Sequence, residues 1–183
     1  MGKIEALCRE YERQVRLRWD PTLAGPQRVW FAAYLPDQER RLRLRIPLFE
    51  ETTRKAGHGW NHVDLTTWFA QWMANHDYRE AYFANPDRLE LALNDFAAFV
   101  ADMLRSQLES PDADDHTVVA VSGVGSLFGV ARVSKLVEDV AGSVRGRLLV
   151  FFPGQHEGGN YRLLDARDGW NYLAVLIAAA NGE

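Results

Sequence analysis

Two short apolar runs separated by one helix-length segment constrain this chain more than any other feature. Val118-Val119-Ala120-Val121 is followed by a glycine turn, Ser122-Gly123-Val124-Gly125-Ser126, and then by an amphipathic stretch to Val140. A second apolar run, Leu148-Leu149-Val150-Phe151-Phe152, leads into Pro153-Gly154. Parallel neighbouring strands need a crossover of about a dozen residues or more, and this spacing supplies one. Leu148–Phe152 is apolar at every position, so both faces of such a strand have to be covered. In the linking stretch Leu127, Val130, Val133, Leu136, Val137 and Val140 recur at helical spacing, opposite Arg132, Lys135, Glu138 and Asp139. The pattern predicts a βαβ unit over residues 116–178, with everything upstream completing its sheet and covering its faces. The expected fold class is α/β: a single domain over residues 1–183, built on a mainly parallel sheet with helices on both faces. Sites in such sheets form at loops beyond the strand ends.

The upstream elements follow from periodicity. Ile4, Leu7, Tyr11 and Val15 mark one face of a helix running to Arg18, where Trp19-Asp20-Pro21 ends it. Arg28–Tyr34 is the first strand, bounded by Pro26 and Pro36. Leu42, Ile46 and Phe49 then predict a helix from Asp37 to Ala56, which Pro47 should kink or split. Trp60–Leu65 reads as a strand leading to a helix that carries Trp68, Phe69, Trp72 and Met73 on one side, with Asp64 or Thr66 as its cap. Tyr78–Phe83 is a short helical or extended piece, and Leu89–Leu108 is the longest helix, with Leu89, Leu93, Phe96, Val100, Met103, Leu104 and Leu108 turned inward. The turn pair Asp168-Gly169 predicts a two-strand excursion that returns into the sheet through Leu173–Ile177.

Composition narrows the function classes. Hydrophobic residues at 47% and charged residues at 25% describe an ordinary globular domain. A formal net charge of −4 gives no general attraction to nucleic acid or anionic lipid. Cys8 is the single cysteine, which rules out an intramolecular disulfide and a cysteine-built metal site and fits a reducing cytosol. No apolar run approaches the roughly 20 residues that span a bilayer, and Met1–Glu10 lacks the apolar core of a secretory signal, so the expected location is cytoplasmic.

Several motifs carry candidate chemistry. Arg40, Arg41, Arg43 and Arg45 form a basic run, but Glu39, Glu50 and Glu51 lie close by and a solvated, partly paired helix surface is expected. His58 and His62 are separated by glycine and are not aligned as a metal pair, and the Asp112, Asp114 and Asp115 loop lacks the spacing of a calcium loop. Gly123-Val124-Gly125-Ser126-Leu127-Phe128-Gly129 follows a strand and opens a helix, the setting in which backbone amides hold a phosphate. Its third glycine is one residue late for a dinucleotide fingerprint, and no lysine follows Gly129 to make a Walker A loop. A ligand-free turn is the main reading, with Gly123, Gly125 and Ser126 as the alternative anion site. Pro153–Asn160 reads as a flexible loop presenting His156 and Glu157, and catalysis there would need a nucleophile or metal to converge with Asp165 or Asp168. Tyr161, Arg162, Arg167 and Trp170 add the aromatic and arginine content that protein interfaces favour, so with His156 and Glu157 they form the expected partner surface. Neither a catalytic set nor a cofactor site is expected.

Taken in order, Arg28-Val29-Trp30-Phe31, Gly57-His58-Gly59-Trp60, Asp64-Leu65, Trp72-Met73 and Tyr78-Arg79-Glu80-Ala81-Tyr82-Phe83 are joined by Phe151-Phe152-Pro153-Gly154, Asn160–Asp165 and Asp168–Leu173. Together these pieces resemble the BrxB family of bacteriophage exclusion (BREX) systems over nearly the whole chain. The resemblance implies a small cytoplasmic component of a multi-protein phage-defence system that also includes a DNA methyltransferase, a large AAA+ ATPase and an alkaline-phosphatase-like protein. It brings no catalytic residues with it. The expected role is a non-enzymatic scaffold or adaptor, with a degenerate nucleotide- or phosphate-binding domain as the rival.

Overall fold

Leu148–Phe152 lies in the middle of the sheet, where its apolarity on both sides requires it to be. The computed structural model describes residues 2–166 and 169–179. In chain order the elements are α1 (Lys3–Val15), β1 (Val29–Tyr34), α2 (Glu39–Lys55), β2 (Gly59–Asp64), α3 (Trp68–Ala74), α4 (Arg79–Ala84) and α5 (Leu93–Leu108). There follow β3 (Thr117–Ser122), α6 (Val133–Val140), β4 (Arg147–Glu157), β5 (Asn160–Leu163), β6 (Trp170–Asn171) and β7 (Val175–Ala178). The parallel strands stand in the order β2-β3-β4-β1-β7. Beyond the rim of this sheet β4 continues into an antiparallel flap, pairing with β5, which pairs with β6.

Alternation along the strands divides the interior into two cores. Val29 and Phe31, Val119 and Val121, and Leu148, Val150 and Phe152 pack with Phe96, Val100 and Leu104 of α5 and with Leu136, Val137 and Val140 of α6. Trp30, Ala32 and Tyr34, Val118 and Ala120, and Leu149 and Phe151 pack with Ile4, Leu7, Tyr11 and Val15 of α1 and with Leu42, Ile46 and Phe49 of α2. Both layers are needed because consecutive strand residues point to opposite faces. The layers are tied by specific polar contacts as well. Thr53 donates to the carbonyl of Phe49 at 2.8 Å, so its proton is spent and the Tyr11 hydroxyl donates to Thr53 Oγ1 at 2.5 Å, linking α1 to α2. Cys8, 4% exposed, packs as a small apolar side chain, and burial pushes its thiol up, away from reactivity.

Four expectations are corrected. Pro47 does not split α2, which runs unbroken from Glu39 to Lys55 with the proline on its exposed side. The helix expected from Leu89 begins at Leu93, after a 3₁₀ segment over Pro86–Ala92, and Met103 is 39% exposed instead of inward. The helix expected directly after the glycine turn is delayed: a 3₁₀ turn covers Val124–Leu127, and Gly129 at φ 80° interrupts the path before α6 starts at Val133. The loop expected over Pro153–Asn160 is instead the continuation of β4 and a tight hairpin, because Gly158 and Gly159 both take positive φ, 57° and 84°, as a two-residue turn between twisted strands requires. The two-strand excursion before the last strand is present as β5 and β6, with Arg167 and Asp168 of its turn outside the described residues.

Two outcomes are expected. Phe151→Ala, at 0% exposure against Phe49, should lower unfolding free energy by about 3–5 kcal/mol in urea melts. His58 stacks on Trp19 at 3.7 Å and 2°, with the Arg147 guanidinium 4.6 Å from the same indole. Burial pushes the imidazole below its usual value, so the fold favours its neutral form. Its contribution is therefore complete above the unfolded value near 6.5 and is lost as pH falls through the folded one, which predicts stability that declines as pH drops below about 6.5. His58→Phe should make that decline shallower in melts followed by tryptophan fluorescence.

Candidate functional site

The carboxyl ends of the parallel strands are the part of the sheet that helices leave open. The chain leaves β1 toward α2 on one face, while β4 runs on into a flap whose Tyr161 packs into the core on the other. Neighbouring strands therefore part company there, the position at which α/β sheets form ligand sites. A cleft of about 800 Å³ results, lined by Ala33 and Tyr34 of β1, Gly154–Glu157 of β4, Leu176 of β7 and Lys3 at the start of α1.

The flap is held by aromatic packing. Tyr161, 1% exposed, lies 4.6 Å from Phe31, 5.8 Å from Phe152 and 5.2 Å from Trp170 between ring centres. Burial pushes its phenol up to about 12, which keeps it neutral. Tyr161 was expected on the partner surface, and the structure corrects this: a ring so enclosed anchors the flap and is not available for contact. His156 pairs across the strands with Tyr161 at 4.5 Å and is half-buried, whereas its neighbour Glu157 pairs with Asn160 and is exposed. Arg162 is exposed and Trp170 half-buried; the register puts His156 and Trp170 on the face that carries Tyr161, and Glu157 and Arg162 together on the opposite face. Arg167 lies outside the described residues.

Gly123, Gly125 and Ser126 are placed less openly. Gly123 has φ 74°, and a Cβ there would strike Asp64 and Thr66. A Cβ on Gly125 would touch Pro153 at 3.5 Å and Leu164 at 3.8 Å, while Ser126 already donates its hydroxyl to the carbonyl of Gly123 at 2.6 Å. A phosphate brought to Gly123 would meet the Asp64 carboxylate, a like charge.

Asp64 belongs to a polar network between residues far apart in the sequence. Arg43 donates through Nε to Glu39 at 2.8 Å, through Nη1 to Asp64 at 3.3 Å and through Nη2 to Thr66 Oγ1 at 2.6 Å. The Tyr34 hydroxyl donates to the same Glu39. Burial pushes Asp64 up, but the hydroxyl and backbone N–H of Thr66 and the Arg43 guanidinium outweigh it and hold the carboxyl below its usual range. The i, i+4 pair Glu39 and Arg43 was visible in sequence, but its reach to β2 was not. Beside the network, His62 Nε2 lies 2.8 Å from Ser122 Oγ across β2 and β3. Such a contact can activate a serine, yet Ser122 is 1% exposed and His62 has no carboxylate hydrogen-bond partner among the described residues, so the pair lacks both access and an orienting acid. Among the described residues no three acidic, histidine or cysteine side chains gather as metal ligands.

Gly123→Ala and Gly129→Ala separate backbone strain from this contact. Both carry the left-handed penalty of about 1–2 kcal/mol, but only Gly123 has neighbours within reach. Gly123→Ala should cost a further 1–3 kcal/mol or so in denaturant melts.

The family model for BREX protein BrxB matches residues 69–176, from α3 into β7. No curated protein and no solved structure matches the chain. The match covers more than half of the sequence and takes in β3, α5, α6, the central strand and the whole described flap. On that coverage, the chain belongs to the BrxB family.

Proposed function

We propose that this chain is a non-enzymatic adaptor of a BREX phage-defence system and docks other proteins of that system on the carboxyl rim of its sheet. Membership of the BrxB family makes it a BREX component. The observation that carries the adaptor reading is the flap, an extension of the central strand that is anchored by rings on the face of Tyr161, where His156 and Trp170 lie half-buried, and that displays Glu157 and Arg162 on the opposite, exposed face. Arginine and aromatic side chains on an already ordered backbone suit protein recognition, because little conformational freedom remains to be lost on binding. The alkaline-phosphatase-like protein, the AAA+ ATPase and the methyltransferase of the system are the proposed partners.

Co-purification of the tagged chain from its native host tests this. The wild type should recover a BREX protein in fixed stoichiometry. Glu157→Lys combined with Arg162→Glu should reduce that recovery about tenfold or more while leaving the melting temperature unchanged. Recovery of the wild-type chain alone, with measurable turnover of a nucleotide or nucleic acid, would sink the adaptor reading.

A further inference from the structure

The cleft at the rim continues onto a shallow shelf of about 480 Å³ along α2, the two meeting at Gln38. Arg40, Arg41, Leu44 and Arg45 line the shelf, with Asp37 at its border. Its leucines are open to an unusual degree: Leu44 is 72% exposed, and Leu35 and Leu176 in the adjoining cleft are 38% and 37% exposed. The charges are unequally matched. Arg41 Nη2 reaches the two carboxylate oxygens of Glu5 at 3.1 and 3.2 Å, and Arg45 Nε reaches one of them at 2.9 Å. One carboxylate thus serves two guanidiniums, while Arg40 has no acceptor among the described residues. In a chain with a formal net charge of −4, this is a local excess of forked donors beside exposed aliphatic side chains.

We propose that the cleft and the arginine shelf of α2 form one docking groove for an acidic, leucine-bearing segment of a partner protein. The proposal rests on the adaptor reading and names the chemistry of the partner. Carboxylates of the segment would lie over Arg40, Arg41 and Arg45, whose planar forks match them in pairs. Its aliphatic side chains would cover Leu44, Leu35 and Leu176. Asp37 and Glu157, at the border of the shelf and in the flap wall of the cleft, oppose a ligand that is negative along its whole length. That arrangement disfavours a nucleic-acid backbone, which carries charge at every step.

The probe is a short fluorescein-labelled peptide with leucine at helical spacing and glutamate between, beside a twin with lysine for each glutamate. Anisotropy with the full chain should show saturable binding of the acidic peptide alone, weakening as salt rises. Arg40→Glu combined with Arg45→Glu should weaken it about tenfold or more. Leu44→Asp, at a position too exposed to support the core, should do the same without lowering the melting temperature. Equal binding of both peptides, binding unchanged in both variants, or tighter binding of duplex DNA lost in the same variants would overturn the proposal. A BREX complex that survives excess acidic peptide and both sets of substitutions would overturn the groove and leave the adaptor reading standing. A wild-type chain recovered without partners would end that reading and the groove with it.

Discussion

Every side chain from Leu148 to Phe152 has to leave water, and neighbouring residues of a strand point to opposite faces. Only packing on both sides of the sheet satisfies that demand. The layer of α1 and α2 and the layer of α5 and α6 are consequences of it: each supplies apolar stripes of the right spacing to one parity of the same strands. The central position of β4, between β3 and β1, follows as well, since the strand most apolar on both faces gains most from having neighbours on each side.

Coverage of both faces leaves the strand ends as the place for anything else. The amino-terminal rim is closed by rings and arginine, with Trp19 stacked on His58 and Arg147 above them. The carboxyl rim is divided. On the side of β2 and β3 it is filled by its own charges, Arg43 clamping Glu39, Asp64 and Thr66, and the glycine turn closes against that clamp. On the side of β1, β4 and β7 it stays open as a cleft with leucines in its wall and arginines on its approach. The same chemical groups thus give opposite results: two carboxylates hold Arg43, while Arg40 has no acceptor among the described residues.

The flap shows how packing converts a glycine-rich stretch into a display surface. Gly158 and Gly159 permit the reversal, and Gly154 permits β4 to lie close against the backbone of Arg162. Tyr161, Phe31, Phe152 and Trp170 then fix the result. Without that anchor, so short an antiparallel extension would be marginal in water. The flap is therefore held by the same core that holds the sheet together.

The sequence by itself determined the α/β class, the parallel crossover, the inward faces of α1 and α2 and the return of the chain through its last strand. Each of these depends on local periodicity, which survives in one dimension. It also contained the Gly158-Gly159 hairpin signal, although the polar residues around it favoured a loop. What lay beyond it were contacts between residues far apart in the chain: Arg43 with Asp64, His62 with Ser122, Glu5 with Arg41 and Arg45, and Tyr161 with Phe31. Side-chain spacing along one element says which face a residue occupies but not what stands opposite. Only the tertiary structure decided that Tyr161 is an anchor, that Gly123 lies against the Asp64 carboxylate, and that the arginines of α2 border a cleft, because each outcome is set by which elements the two-sided burial of β4 brings together.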